Sequence, residues 1–121
     1  MDRAIVIVDH GSRRPLANAV VVEIARLVQL QAGDRALVRW AHMELCEPSL
    51  AQAIDECVGH DVREVIVQPL FLAPGRHATR DIPAQVADAR QRHPGVTFRL
   101  GEVIGADPLL AALVGARCGL S

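Results

Sequence analysis

Aromatic residues are almost missing from this sequence: Trp40, Phe71 and Phe98 are present and tyrosine is absent. Single-stranded nucleic acid binders need aromatic platforms for base stacking, so their scarcity argues against that class. A net charge of −1 likewise provides no field drawing the chain to nucleic acid or to an anionic membrane. No apolar run approaches the ~18 residues that a membrane span requires. The chain passes from Met1-Asp2-Arg3 straight into residues 4–8, a run too short and too acidic in front for a secretion signal. Cys46, Cys57 and Cys118 are odd in number and show no C-x-x-C spacing, which suggests neither a disulfide framework nor a zinc knuckle. Three free thiols fit a reducing compartment, so a cytoplasmic location is expected.

What the sequence does have is aliphatic content. Half of its 121 residues are hydrophobic and 22% are charged, enough to build a core within one domain spanning 1–121. Residues 4–8 (AIVIV) form a β-branched run that predicts a buried strand. Leu16, Val20, Ile24, Leu27 and Val28 share a helical face over 16–31, and Gly33 supplies a stop. Residues 37–43 predict a second strand. Ser49 and Gln52 have capping-box spacing for a helix through Val58, ended by Gly59. A third strand is predicted over 64–72, bulged or at an edge because of Pro69. Residues 73–80 predict a loop, with Asp81 capping a helix over 82–91. A fourth strand over 97–100 precedes a last helix, opened by Asp107-Pro108 and running to about Cys118. This βαβαβαβα order predicts a three-layer α/β domain: a four-stranded parallel sheet with helices on both faces.

His10 follows the first strand, Glu44 the second, and His77 lies in the loop after the third. All three belong to the carboxyl ends of strands, where open parallel sheets bind ligands. Two imidazoles and a carboxylate suit divalent cobalt, nickel or iron, with coordination positions left open. Arg13, Arg14, Arg76 and Arg80 lie on the same loops and could bind an anion through their planar forks. Gly11 and Gly75 either admit a ligand close to the backbone or simply turn the chain. Gly11-Ser12, at a helix start, could hold an anion through backbone N–H groups. His42 reads as a core or edge histidine, His60 and His93 as surface residues at the opposite rim, and Cys46 as a small buried group.

The stretch Val8-Asp9-His10-Gly11-Ser12-Arg13, the segment 44–50 (ELCEPSL) and the segment 69–83 (PLFLAPGRHATRDIP) resemble the small CbiX-type class II chelatases. That family includes sirohydrochlorin cobaltochelatases and their iron- and nickel-inserting relatives. The resemblance covers about residues 5–113 and implies a chelatase-like fold. It implies a lyase that inserts a divalent metal (Co2+, Fe2+ or Ni2+) into a sirohydrochlorin-type tetrapyrrole during cobalamin or siroheme synthesis. On this resemblance His10 and His77 bind the metal, and His10 also takes a pyrrole proton. Glu44, Leu72, Ala73, Pro74, Gly75 and Arg76 would contact the macrocycle, while Asp9, Ser12, Arg13, Arg14 and Arg80 would support the site or its anion. The metal is a substrate, no permanently bound cofactor is expected, and the assembly expected is a homodimer holding the ring between subunits.

Asp9 departs from the family pattern, which usually has a small residue there. An acid beside His10 could orient its imidazole, or it could turn away and cap the following helix. A non-catalytic module that binds metal or tetrapyrrole is the alternative function. Phosphoryl transfer is disfavoured, because Asp9 has the wrong sign beside a phosphate.

Overall fold

The computed structural model describes residues 2–120, the side chains of His77 and Ala78 excepted. Four parallel strands, β1 (Arg3–Asp9), β2 (Leu37–His42), β3 (Glu64–Pro69) and β4 (Thr97–Leu100), stand in the order β2-β1-β3-β4. They alternate with helices α1 (Pro15–Ala32), α2 (Leu50–Val58), α3 (Ile82–Arg92) and α4 (Pro108–Arg117), as the sequence predicts. The central strand β1 is buried on both faces over Val6, Ile7 and Val8, as doubly covered parallel strands are, whereas β3 buries Val65, Val67 and Pro69 on one face and leaves Glu64, Ile66 and Gln68 half-buried on the other.

The sheet has unequal sides. Ala4, Val6 and Val8 of β1 and Val65 and Val67 of β3 pack with Leu50, Ile54 and Cys57 of α2 and Ile82, Val86 and Ala89 of α3. Burial pushes the Cys57 thiol up to about 12, with Glu56 adding to the effect, so it serves as a small apolar core group. On the other side a smaller cluster joins Ile7 and Val38 to Val21 and Ala25 of α1. The predicted α1 face is therefore only partly right. Ile24 and Val28 pack inward, whereas Leu16, Val20 and Leu27 are exposed. Small residues bring the helix close to the sheet, and the bulkier leucines are left outside.

Three further expectations change. β3 stops at Pro69 and is central rather than an edge strand. The Leu70 amide turns to the Val8 carbonyl of β1, so Pro69 directs its missing N–H towards β4, whose own ladder ends at Leu100. No bulge is needed there. Second, the loop predicted over 73–80 ends in a π-helical turn, His77–Asp81, that runs directly into α3. Third, Asp81 is itself helical (φ −75°, ψ −44°) and makes no capping hydrogen bond. The other caps form as predicted. Ser49 and Gln52 make a reciprocal capping box, the Asp107 carboxylate accepts from the Leu109 amide, and Gly33 ends α1 with φ +60°.

Candidate functional site

The strand order places a topological switch point between β1 and β3, because α1 leaves β1 over one face while α2 and α3 pack on the other. His10, the first residue beyond β1, stands at its carboxyl rim and is exposed. Its ring stacks on Phe71, which follows β3, with centroids 4.1 Å apart and planes 20° from parallel. Phe71 is buried, so the imidazole lies against a fixed wall. Sequence reasoning missed Phe71. The signal was available, since it is one of three aromatic residues and sits at a strand's carboxyl end.

Glu44 reaches the same rim from β2. The Met43 amide donates to the Asp9 carbonyl (2.9 Å) and the Glu44 amide to the His10 carbonyl (3.1 Å), so pairing continues beyond both strands. Gly11 has φ +87°, and a Cβ on it would collide with the Glu44 carbonyl oxygen. Its lack of a side chain thus lets two loops touch, rather than admitting a ligand. Gly75 has open space around it and needs no such freedom.

Asp9 does neither thing expected of it. Its carboxylate meets Nδ1 of His42 at 2.6 Å, on the α1 side of the sheet. His42 is buried, at 2% exposure, and this contact offsets the cost of burying its imidazole. Ser12 is also committed: its amide donates to the Asn18 side chain, its carbonyl accepts from it, and its hydroxyl accepts from the Arg14 amide. The anion cradle expected at Gly11-Ser12 has therefore lost the Ser12 amide to Asn18. Cys46 is half-buried and donates to the Glu47 carbonyl rather than lying in the core. Ser12, Arg13, Asn18, His42, Cys46 and Glu47 help to line a cavity of about 460 Å³ below these loops.

Leu72, Ala73, Pro74, Gly75 and Arg76 form an exposed loop beside Phe71. The Thr79 amide and hydroxyl both donate to the Gly75 carbonyl and bind this loop to the π-helical turn. Arg13, Arg14, Arg76 and Arg80 are exposed, and none forms an ion pair among the described residues. His77 begins the π-helical turn, but its side chain lies outside the described residues, and with it the expected pairing with His10. Among the described residues, no group of three His, Cys, Asp or Glu is placed to hold a metal ion. His10 and Glu44 thus share a rim, with an apolar loop and uncommitted guanidinium groups around them.

Comparison with known proteins bears on the same stretch. A family model described as CbiX matches residues 4–119. The chain is 40% identical over 113 residues to the chloroplastic sirohydrochlorin ferrochelatase of Arabidopsis thaliana, covering 93% of this chain and 50% of that protein. A solved structure described as a cobalamin (vitamin B12) biosynthesis CbiX protein, from Marinobacter aquaeolei VT8, is 33% identical with a TM-score of 0.80, covering 97% and 94% of the two chains. The sirohydrochlorin chelatase SirB from Bacillus subtilis subspecies spizizenii, in complex with cobalt, is 28% identical with a TM-score of 0.90, covering 98% of this chain and 50% of that one. The chain spans about half the length of the curated relatives it matches.

Proposed function

Because the chain belongs to the CbiX family, we propose that it is a chelatase that inserts a divalent metal ion into sirohydrochlorin or a related tetrapyrrole. Co2+ is the first candidate, with Fe2+ and Ni2+ as alternatives. The observation that carries this reading is His10, an exposed residue whose ring is held flat against Phe71 at the switch point. Insertion exchanges one metal ion for two pyrrole N–H protons. A neutral imidazole near pH 7 can either take a proton or donate its lone pair to the metal. With its orientation fixed before substrate arrives, His10 meets the ring without a search over rotamers.

In this reading His77 is the second metal-binding imidazole, one turn before α3. Glu44 faces the ring from the β2 side, and Leu72, Ala73 and Pro74 give a flat apolar surface for it to lie against. Arg13, Arg14, Arg76 and Arg80 match the several carboxylates such a macrocycle carries. The metal passes through as substrate. Three free thiols agree with a reducing, cytoplasmic setting.

Purified protein mixed with sirohydrochlorin and Co2+, Fe2+ or Ni2+ tests the assignment, followed by the absorbance change on metallation. Acceleration over the uncatalysed rate is expected with at least one metal, and His10→Ala should remove about 99% of it, the usual scale for loss of a general base. A His10→Ala protein as fast as the wild type would refute the reading. Tight ring or metal binding without turnover would favour a carrier instead.

A homodimer is the assembly we propose. No residue of α4 is buried, and Leu109, Leu113, Val114 and Leu120 are exposed along it and just beyond. A second copy would cover that apolar helix and would also supply the half by which longer relatives exceed this chain.

A further inference from the structure

Among the described residues, His42 is the one polar or charged side chain that is buried, and its partner is Asp9. The two form the last rung of the β1–β2 ladder, in register Asp9↔His42. We propose that Asp9 and His42 are positioning residues: their side-chain bond sets the separation of the His10 loop and the Glu44 loop, and so the efficiency of metal insertion. The inference rests on the chelatase reading above.

Neither side chain acts on His10 directly. Along β1, Ile5 and Ile7 face α1, and Asp9 continues that alternation away from the Phe71 side. The influence therefore runs through the backbone, where there is no slack. Asp9 immediately precedes His10, and its carbonyl accepts from Met43. The His10 carbonyl accepts from Glu44, and the Gly11 Cα lies against the Glu44 carbonyl. The far end of the β2–α2 loop depends on the same residue: the His42 amide donates to the Pro48 carbonyl, and His42 bridges to Ser49. Any displacement of the Asp9–His42 rung reaches both site loops within two residues.

Stability alone does not call for such a pair. The remaining inward positions of β1 and β2 facing α1 are filled by Ile5, Ile7, Val38 and Trp40, and apolar replacements for a buried polar pair are commonly neutral or stabilising. A 2.6 Å hydrogen bond adds direction, which apolar packing does not. At the base of a site that must be held to fractions of an ångström, direction is what matters.

Four variants separate the roles: Asp9→Ala, His42→Ala, Asp9→Asn and the double variant Asp9→Val/His42→Leu. For the two alanine variants we expect kcat for metal insertion to fall about tenfold to a hundredfold, with KM for the ring within about threefold. Asp9→Asn retains an oxygen acceptor for Nδ1–H and should recover to within about threefold of wild type. The double variant should melt at the wild-type temperature yet stay as slow as Asp9→Ala. Hydrogen exchange gives a readout independent of activity. The Glu44 amide should exchange about tenfold faster in Asp9→Ala and in the double variant, with the Val65 and Val67 amides unchanged. Full activity in the double variant, or unaltered Glu44 exchange, would overturn the proposal. If the wild type itself inserts no metal, the chelatase reading falls while the exchange measurement still decides the positioning role.

Discussion

Gly11 shows how much a single hydrogen atom can decide. At φ +87° a β-carbon is strained, and here it would also strike the Glu44 carbonyl. Gly11→Ala should therefore cost about 2 kcal/mol or more in a urea unfolding curve, and should lower the proposed chelatase activity by separating the loops. Gly75→Ala is the control: its Cβ meets nothing, and it should stay within about 0.5 kcal/mol of wild type. Sequence reasoning could identify both glycines as special but not distinguish them, because the difference lies in what stands across the gap. Asp9 illustrates the same limit. Both readings of it from sequence used chain neighbours, His10 and the next helix. Its true partner is 33 positions away and becomes visible only when the register of β1 against β2 is known.

At the scale of elements, local chemistry was legible and long-range contacts were not. The α2 capping box and the Asp107 cap follow from spacing alone, and both form. The end of β3 at Pro69 and the loss of the Asp81 cap depend on the neighbouring strand and on the π-helical turn. His93, expected at the surface, is one-fifth exposed and holds the Asp55 carboxylate at 2.8 Å, joining α3 to α2 together with Arg92. Partial burial raises the Asp55 carboxyl, but hydrogen bonds from His93 and Arg92 outweigh it and hold the group below the usual carboxylate range. A lowered folded pKa stabilises the protein above the unfolded value of about 3.9, and that stability is lost as pH falls through the folded value. Asp55 is half exposed, so solvent screening limits the contribution to under about 1 kcal/mol. Asp55→Asn should accordingly melt lower than wild type at neutral pH, and the gap should close in thermal melts as pH falls below the usual carboxylate range.

For the whole molecule, the alternating order of strands and helices was enough to give the parallel sheet, and the carboxyl rim followed from it. The face that would join two copies in the proposed homodimer was not legible in it. α4 exposes Leu113 and Val114 beside a cavity of about 640 Å³ lined by Gln68, Ile104, Leu109 and Leu110. Light scattering should give twice the chain mass, and Leu113→Arg should halve it if this face joins two copies, since a charge in an interface core opposes association. Retention of the full mass by that variant would place the contact elsewhere. The scarcity of aromatic residues has an optical consequence. With one tryptophan and no tyrosine, indole emission has a single source, Trp40, on the edge strand and on the wall of the cavity shared with His42 and Cys46. Its colour and lifetime report from one position on β2, beneath the two site loops and beside α1 and α2, and a conjugated ring arriving above those loops would quench that signal without any added label.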